Sequence, residues 1–376
     1  MKKIRALVLD RALPSRLLFV TVWLSLFAYA GRPLLVAAHA EGVAPAVAWL
    51  ALLGCSFLPM LPILARRTGG LIKRALLHWT GYVVLGLFSL LLVLVALSDL
   101  VRLLFAISVQ TMSFSVLAAA AGLSLVGLFQ ARFPRVKRVS IAIDHLPDDL
   151  TGYRIVQWSD VHVGPTIQRR FVQALVKRTN AIGADAIAIT GDLIDGYVDD
   201  LRDQVQPLAD LRARDGVFYV TGNHEYYWRA GEWVNEIERL GLTFLKNRHR
   251  VIERGSAKLL MAGVTDPAGR DAHKPDVAAA LEGAPAGAVK VLLSHRPQTA
   301  RTADRFGVDI QLSGHTHGGQ FFPFNILIRL FQPIVAGLHR VGRTWLYVSR
   351  GTGYWGPPSR LGVHGEITVI TLNRSI

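Results

Sequence analysis

The stretch GHTHGGQ, Gly314–Gln320, sets His315 and His317 two residues apart among three glycines. An H-x-H pair alone is weak evidence, because such pairs also occur in ordinary turns. What precedes it adds weight: VDIQLSG is a short run of strand character that ends where the histidines begin. Four other runs end in the same way. YRIVQWS leads into Asp160 and His162, ADAIAITG into Asp192, GVFYVTG into Asn223 and His224, and AVKVLLS into His295. Short strands alternating with helical segments predict an α/β domain, and in α/β sheets ligands gather beyond the C-terminal ends of the strands.

Taken singly, each of these residues has a plain reading. Asp160 or Asp192 suits a cap or turn, Asn223 a left-handed turn, and His295 the polar end of a strand. Together they offer two carboxylates, one amide oxygen and four imidazoles, with His224 beside them. That set suits two hard or borderline divalent cations such as Mn, Fe, Zn or Mg, and the lack of thiolates argues against a structural zinc site. One shared carboxylate can hold such a pair at the roughly 3.5 to 4 Å typical of two-metal hydrolases. The glycines around His315 and His317 then allow a sharp bend and a close approach of backbone and substrate to the ions.

In chain order SDVHVG, GDLID, GNHE, SHRP and GHTHGGQ, between Trp158 and Gln320, resemble the five blocks of the calcineurin-like metallophosphoesterases. The C-terminal YVSRGTGYWGPPSRLG resembles their membrane-tethered bacterial branch. The resemblance covers the chain from about Val139 onward and implies a four-layer α/β sandwich, two mixed β-sheets face to face with helices outside. It implies that Asp160, His162, Asp192 and His317 bind one metal ion and Asp192, Asn223, His295 and His315 the other, with Asp192 bridging. Two ions sharing a carboxylate and a water make hydroxide available at neutral pH for in-line attack on phosphorus. By the same resemblance His224 is not a ligand; it faces the leaving group, and Asp195 orients its ring. Asp195 also reads as a plain loop or helix-start carboxylate.

The rest of the chain has a different texture. Of its 376 residues 51% are hydrophobic, and mean hydropathy is +0.33, too apolar for an ordinary soluble enzyme. The excess lies in four runs before Gln130: LLFVTVWLSLFAYA, VAPAVAWLALLGCSFLPMLPILA, ALLHWTGYVVLGLFSLLLVLVALS and LLFAISVQTMSFSVLAAAAGLSLVGLF. Each approaches the roughly 20 residues that cross a bilayer. The expected organisation is therefore a transmembrane region with about four spans, 1–131, followed by the metallophosphoesterase domain, 132–376.

Charge sets the orientation. Lys2, Lys3, Arg5, Arg11 and Arg16 precede the first run, Arg66, Arg67, Lys73 and Arg74 separate the second and third, and Arg132, Arg135, Lys137 and Arg138 follow the fourth; only Arg32 and Arg102 fall on the other side. The positive-inside rule then expects a multi-pass protein of the inner (plasma) membrane with its catalytic domain in the cytosol. AYA at Ala28–Ala30 also fits a signal-peptidase site, and cleavage there leaves the same cytosolic end. Of the net charge of +15, the part after residue 130 carries only +7, with no interleaved aromatics, so nucleic acid is not an expected partner and lipid headgroups are. The single cysteine, Cys55, lies within an apolar run and forms no disulfide framework.

Protein phosphatases of the resembled superfamily carry phosphate-clamping arginines where this chain has Thr221 and Gly196, which counts against a phosphoprotein substrate. Arg296 and Arg360 are alternative sources of charge, or solvated surface residues, and the role of Glu366 stays open. The expected activity is metal-dependent hydrolysis of a phosphoester or pyrophosphate. A lipid substrate is suggested by FFPFNILIRLFQPIVAG, which starts directly after the histidine block and could equally be core. A phosphodiesterase acting on a soluble nucleotide and a non-catalytic metal-binding sensor or scaffold are the alternatives. A transporter is disfavoured because the runs lack paired buried charges.

Overall fold

A computed structural model of the chain describes residues 2–65, 69–270 and 273–375, with side chains from residue 14 onward. Arg66 and Arg67 of the charge pattern lie outside the described residues, as do the side chains of Lys2, Lys3, Arg5 and Arg11. The chain divides into two compact units, Met1–Gly69 with Leu76–Val126, and Gly70–Ala75 with Gly127–Ile376.

Among the described residues three helices, which lie mostly within the first unit, are long and apolar enough to cross a membrane: Pro45–Ala65, Leu71–Leu104 and Val109–Arg132. A fourth span arises only if Pro14–Ala30 and Arg32–Ala40, bent by 47° where they meet, count as one. The bend falls at Gly31, with Pro33 at the start of the second helix. Phe27, Phe88, Leu91, Val95, Val116 and Ala120 form the centre of this bundle, and the Phe27 and Phe88 rings stack at 3.9 Å. Many large apolar side chains of these helices, Trp49, Leu50, Leu103 and Phe129 among them, are exposed.

Among the described residues the second unit holds twelve strands in chain order: β1 Arg135–Ile143, β2 Arg154–Trp158, β3 Ala186–Thr190, β4 Val217–Val220, β5 Thr243–Phe244, β6 Arg248–Arg254, β7 Ala257–Gly263, β8 Val289–Leu293, β9 Ile310–Ser313, β10 Gly337–Val341, β11 Thr344–Val348 and β12 Glu366–Arg374. They form two six-stranded sheets, ordered β1-β12-β2-β3-β4-β5 and β10-β11-β9-β8-β7-β6. Both are mixed. In the first, β2, β3, β4 and β5 run parallel and β12 is antiparallel to β2; in the second, β7, β8, β9 and β11 run parallel, with β6 and β10 antiparallel at the edges.

The alternation of each strand sets the layers. Ala186, Ala188, Phe218 and Val220 of the first sheet meet Leu259, Met261, Val291 and Leu312 of the second in one shared core. Ile187, Ile189, Val217 and Tyr219 point the other way, against Phe171, Val172, Leu175 and Trp233 of the outer helices. Leu260, Ala262 and Leu292 pack against Val277, Ala280 and Ala303 on the far face. Two mixed sheets flanked by helices thus place the C-terminal ends of β2, β3, β4, β8 and β9 along one edge.

Candidate metal centre

Every residue singled out at the strand ends arrives at that edge. Asp160, His162 and His317 bring their ligating atoms within 4.8 Å of one another, and so do Asp192, His295 and His315. Asp195 stands between His162 and His224, a third such group. Asp160, His162, Asp192, His315 and His317 all adopt positive φ, between 51° and 74°. Non-glycine residues rarely do so, and local strain of this kind collects at sites where side-chain placement outweighs backbone comfort. Gly318 and Gly319 bend at φ 62° and 76°, and other glycines allow close approach. A Cβ on Gly222 would lie 2.2 Å from Asp192 Oδ1, and one on Gly314 would lie 2.3 Å from Asp160 Oδ2.

The donor set fits divalent cations on the chemistry of its own hydrogen bonds. His295 Nδ1 lies 2.8 Å from the Thr190 carbonyl, which can only accept, so Nδ1 carries the hydrogen. The lone pair on Nε2 then faces Asp192 Oδ2 at 3.1 Å, acceptor against acceptor. In His162, Nδ1 faces Asp195 Oδ2 at 3.1 Å and Nε2 faces His317 Nε2 at 3.0 Å, two ring nitrogens that a hydrogen on either ring or a shared cation can bridge. Asn223 Oδ1 is buried without a hydrogen-bond partner among the described residues. A divalent cation among these atoms would be met by the Asn223 oxygen, the Asp192 carboxylate and the ring nitrogens together, whereas a proton on His295 leaves the Asn223 oxygen unmet.

Burial and neighbouring charge shift these groups in different directions. Burial disfavours charge on His295, yet the facing Asp192 raises its pKa to about 10. Asp192 is buried but held well below the usual carboxylate range by His295, His224 and His162. Asp160 is pushed up by burial and by the nearby Asp192 charge, against the lowering pull of His295 and His162. His315 falls to about 3 through burial and the neighbouring His295 and Arg296, and His317 is held well below the imidazole range by burial with His162 and Arg360 nearby. Both rings are therefore neutral, the state a metal ligand needs.

His224 is set apart from the two ligand groups. Its ring Nδ1 makes a short contact with Asp195 Oδ1, while its backbone N–H donates to Asp192 Oδ1 at 2.8 Å. Burial lowers its basicity, but the Asp195 hydrogen bond and the charges of Asp195 and Asp192 win, raising the pKa to about 9. Asp195 is pushed up by burial and brought down to about 2 by His162 and His224. The rings of Tyr227 and Trp355 lie 5.1 and 5.7 Å from the His224 ring, and both side chains are largely exposed.

Four residues gain roles that the sequence reading missed or left open. Glu225, fully buried in GNHE, accepts from the backbone N–H groups of Gly222 at 2.6 Å, Leu193 at 2.7 Å and Asp192 at 3.1 Å. It ties two ligand loops together. Asp266, just beyond β7, accepts from Arg296 Nε at 2.9 Å and fixes that guanidinium 3.3 Å from His315 Nε2. Arg360 is neither at the surface nor placed for phosphate. It is fully buried and donates to the carbonyls of Gly353, His317 and Arg350, at 2.9, 3.1 and 2.5 Å. Those loop carbonyls lack strand partners, and a guanidinium satisfies several at once. Glu366 is likewise internal, accepting from the Tyr347 hydroxyl at 2.7 Å and the Arg350 N–H at 3.2 Å.

Sheets, edge and donor set together define an α/β sandwich with a candidate two-metal centre. The family model for calcineurin-like phosphoesterases matches residues 153–319. A transmembrane protein with metallophosphoesterase domain from Danio rerio is 38% identical over 265 residues, covering 67% of this chain and 61% of that protein. A metallophosphoesterase of Campylobacter jejuni is 35% identical over 277 residues, covering 73% of this chain and 71% of the relative. One from Aquifex aeolicus is 31% identical over 245 residues, covering 64% and 92%. The match thus spans about three fifths of the Danio rerio relative. The chain belongs to the calcineurin-like metallophosphoesterases.

Proposed function

We propose that this protein is a metal-dependent phosphohydrolase held at the membrane by its N-terminal helices, with a lipid phosphoester or pyrophosphate as substrate. The hydrolase reading rests on one observation: two adjoining groups of mostly buried ligating side chains, Asp160 with His162 and His317 and Asp192 with His295 and His315, each with its ligand atoms within 4.8 Å of one another. Asp160, His162, Asp192 and His317 would hold one divalent ion and Asp192, Asn223, His295 and His315 the second. Bound there, two such ions supply the charge that activates water and draws electron density from phosphoryl oxygens. The chain's own groups do the rest. His224, with its pKa raised to about 9, carries a proton at neutral pH for the departing oxygen. Asp195 orients that ring and the His162 ring alike, and Arg296, steadied by Asp266, brings positive charge to the edge.

The lipid reading is supported by the segment after the histidine block. Phe321 turns into the core, but Phe324, Ile326 and Leu327 are exposed, and Leu330 and Phe331 are 77% and 78% exposed. The segment is locked to the ligand loop: a Cβ on Gly319 would lie 2.4 Å from the Asn325 Cα. The Phe322 N–H donates to the Leu361 carbonyl, and the neighbouring Arg360 N–H to that of Gly127, a residue of the same unit in the helix Val109–Arg132. An apolar lip so placed gains by burial among acyl chains while phosphate reaches the centre.

Replacing Leu330 and Phe331 together with serine is expected to lower turnover of a micellar lipid phosphoester roughly tenfold more than that of a soluble nitrophenyl ester. Equal losses on both, with a lower melting temperature, or faster turnover of a nucleotide diester than of any lipid, would exclude a lipid substrate. The basic residues flanking the helices support a cytosolic catalytic domain. A reporter that fluoresces only in the cytosol, fused to the C-terminus, should light up; fluorescence solely from an export-dependent reporter would reverse the orientation.

A further inference from the structure

Arg32 and Arg102 are the two basic residues that stand apart from the charge pattern of the N-terminal region. They come together. Both line a pocket of about 260 Å³ in the first unit, with Asp99 between them in sequence and space. Arg32 Nη2 lies 2.6 Å from Asp99 Oδ2, the Tyr29 hydroxyl donates to the same oxygen at 2.8 Å, and the Arg32 guanidinium sits 4.4 Å from the Tyr29 ring centroid. Arg102 is three residues beyond Asp99 on the same helix, and its Nε donates to the Ile107 carbonyl at 3.4 Å. The inner wall is apolar: Val95 and Val116 are buried, and Met112 packs beside them.

Charge and position both bear on what this pocket takes. Asp99 offsets one guanidinium, which leaves the rim with one positive charge in excess. The helix Leu71–Leu104 has 34 residues and so extends about 51 Å, well beyond a hydrocarbon layer of roughly 30 Å. Asp99 and Arg102 lie in its last two turns, at the level of headgroups rather than acyl chains. An ion pair that only stapled two helices together would need neither the second arginine nor an apolar wall beneath it. A phosphodiester headgroup needs both, since guanidinium N–H groups match phosphate oxygens and the methylene chain continues along Val95, Met112 and Val116. We infer that this pocket binds the headgroup and upper chain of an anionic phospholipid. It is a site distinct from the strand-end metal centre and does not depend on the activity assigned there.

The test uses full-length protein in mild detergent, with native mass spectrometry after addition of phosphatidylglycerol, phosphatidylcholine or inorganic phosphate at equal concentration. Phosphatidylglycerol should be retained roughly tenfold better than phosphatidylcholine, whose trimethylammonium opposes the excess positive charge, and inorganic phosphate should leave no adduct. Arg102→Gln, which spares the Arg32–Asp99 pair, and Met112→Trp, which fills the apolar wall and keeps every charge, should each weaken phosphatidylglycerol retention roughly tenfold. Melting temperature without added lipid checks the fold of each variant, and either one alone is sufficient if the other fails to fold. Unchanged retention in a folded variant, equal retention of the two lipids, or phosphate bound as well as phosphatidylglycerol would overturn the inference.

Discussion

Asp192→Asn leaves the fold standing, strips the centre of both ions and abolishes hydrolysis. The fold survives because the substituted amide suits its neighbours. Its oxygen can still accept from the His224 N–H, now 2.8 Å from Asp192 Oδ1. Its NH₂ can donate to the His295 lone pair, which in the parent faces a carboxylate oxygen at 3.1 Å. The conflict that calls for a cation disappears, and with it the reason to bind one. Both proposed ions lose the carboxylate they share, so elemental analysis should show metal falling from about two per chain toward none. A variant that keeps its metal and its full activity would remove Asp192 from the centre.

His224→Ala is expected to separate chemistry from metal binding. Metal content should stay near the parent value, while turnover falls by roughly 10²-fold to 10⁴-fold, the range for loss of a positioned general acid. The loss should be largest on alkyl esters and smallest on nitrophenyl esters, whose leaving group needs little protonation. An equal loss on both would show that His224 acts elsewhere. Asp195→Asn makes an informative contrast. Its carboxylate touches His162 as well as His224, so it should impair metal retention and leaving-group dependence together.

Much of this was readable from the chain, for a specific physical reason. Runs such as residues 186–189 of β3, buried on both faces, are apolar at every position, and the polar residues that follow such a run stand out against it. That contrast located Asp160, Asp192, Asn223, His295 and His315. The same rule would have found Asp266, which follows Gly263 at the end of β7, had it been applied there. What the sequence hid were contacts made only in three dimensions. Glu225 lies in plain view in GNHE, yet its partners Asp192 and Leu193 are more than thirty residues away. Arg360 read as a phosphate ligand or a surface residue because nothing local shows that the carbonyls of His317, Arg350 and Gly353 converge on it.

The N-terminal region shows the opposite limit. Hydropathy finds apolar runs but is blind to where a helix breaks, and the first run proves to be one arm of a helix pair bent at Gly31. Paired charge also escaped the sequence reading. Arg32 and Asp99 are 67 residues apart and belong to different helices, and only the packing of the bundle brings them to 2.6 Å. Their side chains are 47% and 38% exposed, so the pair sits at a bundle end rather than along a buried path.

The central claim is that the strand-end edge holds two cations on either side of Asp192, and anomalous diffraction from a manganese-loaded crystal tests it most directly. Two anomalous peaks about 3.5 to 4 Å apart, one against Asp160, His162 and His317, the other against Asn223, His295 and His315, with the Asp192 carboxylate between them, are the predicted result. A single peak, or peaks away from these side chains, would contradict it.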